Sequence, residues 1–400
     1  MNFGEFNRFE ERAFYALAGL LGLIALIGFG ASHYMETHGH IVTGMNNQVV
    51  WGLPHVFAVF MIVAASGVLN VASIGSVFGK PVYKARAPLS GLLAIALLSG
   101  GLFVLMLDLG RPDRLIVAMT NFNFKSIFAM NVILYTGFFG IVAIYLWTML
   151  DKKMKCYSKY AGFAAFIWRL ALTTATGSIF GFLVARQGFD SALLAPMFII
   201  MSFSYGLAFF ILVQSFMYKW NNMVLDEAIL RRLKNLLATF VGAVLYMTIV
   251  YHITNLYFAK QWDFERFILV DGGHLTAIFW FGQVALGSIL PIALLLHPTL
   301  GKQVKTVIIS SALIVVGAFS QLYVLIIGGQ TYPLDIFPGM QTSSSFFDGV
   351  IHWYSPSLPE FLLGLGGLGV ALLLTTIAVR VLQFVPKDDH LHEPGHAAAD

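Results

Sequence analysis

Residues 51–78 read WGLPHVFAVFMIVAASGVLNVASIGSVF, an unbroken stretch without a single Asp, Glu, Lys or Arg. A helix of this length, rising 1.5 Å per residue, spans more than the ~30 Å hydrocarbon core of a bilayer. No lipid-exposed backbone can leave its N–H and C=O groups unpaired, so the stretch is predicted to be a membrane-spanning helix. Working outward, runs of the same kind fall at about 14–34, 88–108, 126–149, 162–185, 195–218, 232–258, 274–296, 305–327 and 360–384. The sequence therefore reads as an all-α integral membrane protein with about ten transmembrane helices. Composition agrees: 58% of the 400 residues are hydrophobic and 11% charged, with a mean hydropathy of +0.79, too little charge to coat a soluble exterior.

The even helix count and short connections predict two four-helix bundles, helices 2–5 and 6–9, flanked by helices 1 and 10. The corresponding segments are 1–50 (first helix and loop), 51–190 (first bundle), 191–328 (second bundle), 329–385 (long loop and last helix) and 386–400. The last segment, with His390, His392 and His396, is polar and is expected to be a disordered tail. The polar, mixed-charge start, followed by a long apolar run without a cleavage site, predicts a retained first helix rather than a signal peptide.

The net charge of +4 and pI near 9.0 do not point to nucleic acid, because the basic residues lie in short blocks between apolar runs. Seventeen Lys and Arg fall on one set of alternate loops and six on the other. The positive-inside rule then predicts both termini in the cytoplasm. The opposite, outer loops at 35–50 and 328–359 contain no Lys or Arg and are rich in polar and aromatic residues, as expected of segments that cover a site or dock a partner. Cys156 is the only cysteine, so the protein cannot itself ligate an iron–sulfur cluster with thiolates or close an internal disulfide.

The most specific segment is Asp108-Leu-Gly-Arg111-Pro-Asp-Arg114, at the outer end of helix 3. Four charges within seven residues at a membrane surface suit either a functional rim or a salt-bridged helix end with snorkelling arginines. Followed by Asn121-Phe-Asn-Phe-Lys-Ser126 and Leu134-Tyr135, and preceded by Trp51-Gly-Leu-Pro-His55 with Gly67 and Asn70, the motif resembles the NrfD/PsrC family, the membrane subunits of polysulfide-reductase-like complexes. The resemblance covers roughly residues 50–330. Within the family, the ten-helix form with a long last outer loop is similar to the DsrP-type branch, linked to dissimilatory sulfite reductase.

The resemblance implies a non-haem, quinone-reactive subunit that is not catalytic alone. It would bind menaquinone or another quinone near the outer face, with no haem or iron–sulfur cluster of its own. It implies a bacterial or archaeal cytoplasmic membrane, a periplasmic, ferredoxin-like iron–sulfur subunit above the protein, and further membrane and cytochrome subunits beside it. By family position His55 and Asp108 would face the quinone head, Arg111 would hold Asp108 ionised or bind the partner, and Arg186 with Gln187 would complete the rim. Arg114, Lys125, His33 and His274 are candidates for the partner-docking edge. A hydrogen-bonded interfacial histidine is the alternative for each histidine. A haem held by His55 and His252 lacks a second depth-matched pair.

None of the twenty Asp and Glu lies near the middle of a predicted helix, so protons are expected to exchange on the outer side without being pumped. Arg169 is expected near the cytoplasm, snorkelling. The competing readings are a secondary transporter, which predicts broken helices and a charged midplane site, and a structural anchor, which predicts that His55 and Asp108 are dispensable. Pro54 and Pro291 lie near helix ends, leaving no central break.

Overall fold

A computed structural model describes residues 8–334, apart from 222, 224 and 225, and residues 349–384, apart from 383. The predicted tail and much of the last long loop lie outside the described residues. Ten helices are long and apolar enough to cross a membrane. They are α1 (Arg8–His38), α2 (Leu53–Ser76), α3 (Ala87–Leu107), α4 (Ile127–Leu150), α5 (Ser158–Gly181), α6 (Leu194–Trp220), α7 (Glu227–Tyr257), α8 (His274–Leu296), α9 (Val304–Thr331) and α10 (Leu358–Val381). No strand occurs among the described residues.

Helices α2 to α5 close into one four-helix bundle and α6 to α9 into a second, joined mainly through α2 against α6 and α5 against α6. α1 and α10 pair with each other, and α10 docks on α2 and α3. α2 is buried along nearly its whole length, forming the axis of the molecule, which explains why it is apolar on every face. α1, α4 and α7 instead carry rows of exposed apolar residues such as Leu20, Leu23, Leu26, Ile144, Ile249 and Ile253, suited to lipid.

Small residues set the closest crossings. Gly67 of α2 lies against Ser202 and Gly206 of α6, with the backbones in direct contact. Gly366, within the glycine-rich run of α10, meets Gly28 of α1 in the same way.

Two helices depart from regular winding. α8 is π-helical over Ile278–Ile289 and α9 over Val324–Gly328. Widened turns of this kind free backbone carbonyls without breaking the helix and recur at functional sites.

Arg169 does not snorkel. It stands halfway along α5, 1% exposed, between the rings of Phe166 (5.0 Å) and Phe203 (5.1 Å). The helix turns it inward, where only the Ser66 carbonyl, 3.5 Å from Nη1, is offered to its guanidinium. Desolvating a cation without a carboxylate is costly, and the two ring faces offset only part of that. Arg169→Met is therefore expected to hold or raise the melting temperature in detergent. A fall of several degrees would show that the cation contributes to stability.

The connections 39–52, 108–126, 182–193, 258–273 and the described part of the last loop gather at one end of the helices, the capped end. The opposite end carries Lys152, Lys153, Lys155 and Arg231 and is the basic end.

Candidate functional site

The first bundle holds a cavity of about 430 Å³ near its capped end. Its walls come from α2 (His55, Val59, Ile62), α3 (Leu102, Leu105, Met106), the short helix Leu115–Thr120, α4 (Phe128, Asn131, Val132, Tyr135, Thr136) and α5 (Thr176, Ile179, Phe180). It is overwhelmingly apolar, with a few polar groups at fixed places, the profile of a site for a flat, largely apolar ligand. A neighbouring space of about 310 Å³, lined by Phe122, Ile133, Gly137 and Trp168, shares Met119, Val132 and Thr136 with it. Together they extend from the bundle interior to the outer face of α4.

His55 reaches the cavity because Pro54 starts α2 and Gly52 precedes it in extended conformation, placing His55 in the first turn. Its Nδ1 stands 2.8 Å from Oδ2 of Asp108, whose side chain is 1% exposed. The contact has ion-pair distance, but neither Asp108 oxygen has an aligned hydrogen-bond donor. Asp108 caps the C-terminus of α3, where the helix dipole already disfavours negative charge. A buried carboxylate so placed depends on a nearby N–H group, and His55 Nδ1 is the one in reach. With Nδ1 turned to Asp108, Nε2 is the ring nitrogen left for the cavity.

After Asp108 the backbone reverses at Gly110, whose φ of 63° is left-handed and suits glycine. His40, from the turn after α1, packs against Gly110, its Nδ1 buried and without a partner. His40 is the neighbour of the motif that sequence reading missed. Only its proximity in space singles it out.

Arg111 does not hold Asp108. It forms a two-pronged pair with Asp113, both bonds 3.0 Å, on an exposed turn. The local 3-10 turn Pro112–Arg114 brings the two side chains together and carries Arg111 away from the buried carboxylate. The Arg111 hydrogen bonds hold the Asp113 carboxyl below the usual range, so the pair persists above the ordinary carboxylate range and is lost as pH falls through the lowered value. Being fully exposed, it contributes little to stability.

Arg186 and Gln187 do not line the cavity. Arg186 donates to the carbonyls of Gln48 (2.7 Å) and Gln330 (3.2 Å), and partial burial lowers the pKa of its guanidinium. Gln48 in turn donates to the carbonyls of Gln330 and Thr331. Gln330 accepts from the amides of Val50 and Trp51 and donates to the Trp51 carbonyl, each at 3.0 Å. The result is a clasp that fixes the Trp51 backbone. The Trp51 ring lines the cavity, near-parallel to His55 at 5.9 Å and edge-on to Phe180 at 5.7 Å. Arg186 thus acts on the site through Trp51. Removing Gln330 leaves two amides to find other partners, so Gln330→Ala is expected to destabilise the fold by about 2–4 kcal/mol. An unchanged denaturation midpoint would refute that.

A second anchor holds the other side of this segment. The Glu360 carboxylate, 0% exposed, accepts from Tyr354 (2.8 Å), the Gly44 amide (2.9 Å) and the Ser357 amide (2.7 Å). Tyr354 Oη accepts from the Leu53 amide at 2.7 Å, capping the first turn of α2. Burial and the Glu360 charge push the Tyr354 hydroxyl well above its ordinary pKa, so it stays protonated and donating.

His33, Arg114 and Lys125 are exposed near the capped end, and His274 packs against Trp353 there, the ring centroids 5.0 Å apart and tilted by 51°. None of the four lines the cavity. His252 is not opposite His55. It belongs to the second bundle, where the space beside it is about 20 Å³.

The family model for polysulphide reductase NrfD matches residues 41–333. An Hdr-like menaquinol oxidoreductase integral membrane subunit from Archaeoglobus fulgidus is 26% identical over 388 residues, covering 96% of this chain and 97% of that one. A putative dimethyl sulfoxide reductase membrane subunit from Halobacterium salinarum is 25% identical, with 91% and 90% covered. A polysulfide reductase chain from Wolinella succinogenes is 22% identical over 316 residues, 72% of this chain and 96% of that one. The match spans both bundles, including the cavity with its His55–Asp108 pair, and the chain belongs to the NrfD family of membrane subunits.

Proposed function

We propose that the protein is the quinone-reactive membrane subunit of an oxidoreductase complex, with the first-bundle cavity as its site. The observation that carries this reading is His55 in the cavity wall with the buried Asp108 behind it. The cavity volume suits a quinone head, and the adjoining space along α4 suits its hydrocarbon tail. A relative named as a menaquinol oxidoreductase subunit favours menaquinone.

Quinol oxidation delivers two electrons and two protons. His55, neutral with its Nδ1–H toward Asp108, offers Nε2 as the base for one hydroxyl proton, and Asp108 stabilises the imidazolium that results. The His55 side chain is 18% exposed at the capped end, which gives the proton an exit there. Once that proton has left by the capped end, Nε2 is free to take the second, and Tyr135 supplies a further hydrogen-bonding group deeper in the cavity. Run backwards, the same groups donate to a quinone.

In this reading the basic end faces the cytoplasm, with both termini, and the capped end faces a periplasmic iron–sulfur subunit that exchanges electrons with the site. The exposed Arg111–Asp113 turn, Arg114, Lys125 and His274 border that surface. The polysulfide and dimethyl sulfoxide reductase relatives, and the resemblance to the DsrP-type branch, favour a complex of sulfur-compound metabolism. The transporter reading loses ground because none of the ten helices is interrupted by non-helical backbone near its centre.

Quinone-analogue binding to the purified complex tests the proposal. Wild type should bind saturably, and Val132→Trp, which fills the junction of the two spaces, should abolish binding with the melting temperature kept. Equal binding by both would move the site elsewhere.

A further inference from the structure

The second bundle has its own histidine–carboxylate pair, which the quinone reading does not use. Glu265, on the short helix Trp262–Arg266 between α7 and α8, is 0% exposed. Its Oε2 bonds Nδ1 of His252 at 2.6 Å, and its Oε1 accepts from Nδ2 of Asn255 at 2.7 Å. Unlike the contact between His55 and Asp108, this bond is aligned as well as short.

The surroundings differ from those of the first pair. On the interior side, Phe264, Ile268, Met197 and Leu325 leave only about 20 Å³, enough for about one water and for no quinone head. On the capped-end side lies an open pocket of about 380 Å³ bordered by Asn255, Gln261, Asp190 and Lys260. Two amide oxygens at this pocket are buried without donors, Asn255 Oδ1 and Gln261 Oε1. Both orientations are fixed by the partner of the other amide atom. Asn255 Nδ2 must face the Glu265 carboxylate, and Gln261 Nε2 donates to the Asp190 carbonyl at 2.9 Å. The oxygens are therefore obligate acceptors, shut off from water in this conformation, beside a pocket with room for the waters that would reach them on a small side-chain shift.

We propose that His252 and Glu265 form a second proton-binding site, closed to quinone and filled from the capped end through waters held by Asn255 and Gln261. A proton entering this way is taken up by the pair as a unit, which already holds one bridging proton between Nδ1 and Oε2, so that its net charge goes from negative to neutral. No electron moves. Buried ionisable groups in a membrane protein are costly and mark proton or ion sites by default. The groups facing the pair are Tyr251 from α7, the Asp190–Lys260 ion pair (3.0 Å) at the pocket rim, and the uncharged Gln283 and Gln321 from α8 and α9. The fixed cations nearby, Lys260 and Arg266, are already paired with Asp190 and Asp271, so the site keeps an excess of acceptors.

The test is infrared difference spectroscopy of the full complex between acidic and alkaline pH, on a His55→Gln background that silences the first-bundle histidine. The expected result is an imidazole–carboxylate signal that disappears in both His252→Gln and Glu265→Gln. Its deuterium exchange should slow at least tenfold when Ser191→Trp plugs the pocket. Glu265→Asp, which keeps the charge, should retain the signal and serves as the control for folding. A signal unchanged by either substitution, or exchange unaffected by the plug in a folded variant, overturns the proposal. Neither outcome bears on quinone binding in the first bundle, which the Val132→Trp experiment reads separately.

Discussion

His55→Ala and Asp108→Asn are each expected to lower quinol-dependent electron transfer by the assembled complex about 100-fold or more, the range of a lost general base. The two variants fail for different reasons. His55→Ala removes the acceptor for the quinol proton and leaves Asp108 buried at a helix C-terminus without the imidazole beside it. Asp108→Asn keeps the shape and relieves the buried charge, but the imidazolium formed at His55 then has no counter-charge. Asp108→Asn should therefore hold its melting temperature while losing turnover, whereas His55→Ala should lose both, because an uncompensated buried charge costs about 3–5 kcal/mol. The measurement is the quinol oxidation rate of the complex together with a detergent melt for each variant. Full turnover by either variant, folded, would leave His55 and Asp108 as structural groups and return the protein to the anchor reading.

The contrast between the variants also marks where sequence was informative. The ten helices were legible because lipid imposes one length and one polarity on each span, and no tertiary detail overrides that. The pairing of His55 with Asp108 was legible through family position, since the two lie at adjacent ends of consecutive bundle helices. The role of Arg186 was not. Its partners, Gln48 and Gln330, lie 138 and 144 residues away, and they are main-chain carbonyls with no side-chain signature. Of the two roles that family position allows Arg111, holding Asp108 or binding a partner, the first is excluded by the tight turn at Pro112, which hands it to Asp113. Arg169 was misplaced because its neighbours in sequence lead back to a basic loop. Helical rotation, which decides whether it meets lipid or α6, depends on packing rather than on composition. The π-turns of α8 and α9 left no mark in apolar runs that read as ordinary helix. The His252–Glu265 pair was hidden for a related reason. Glu265 lies in a loop by sequence and becomes buried only when the short helix folds back onto α7.

The largest stability effect expected in this protein falls at Gly67. A Cβ there would occupy the space of the Ser202 carbonyl and the Gly206 backbone, neither of which moves without separating α2 from α6. Overpacking a well-filled interior usually costs about 1–3 kcal/mol, and more where the obstacle is backbone, so Gly67→Leu should exceed ~3 kcal/mol and fail to give a folded, monodisperse protein in detergent. Gly140, on α4, has nothing within 4 Å of its would-be Cβ, so Gly140→Leu should melt with wild type. That pair of results would separate a requirement for close helix approach from a general intolerance of bulk in the bilayer. If Gly67→Leu instead folds normally, α2 and α6 must be able to part, and the two bundles are less tightly bound than their contact implies. The same α2 that Gly67, near its middle, presses against the second bundle carries His55 in its first turn, under Trp51 and the Glu360–Tyr354 cap. An intermediate substitution, Gly67→Ala, should therefore show whether the cavity tolerates a shifted α2. Quinone-analogue affinity lost ahead of melting temperature would mean that the junction between bundles sets the position of the base.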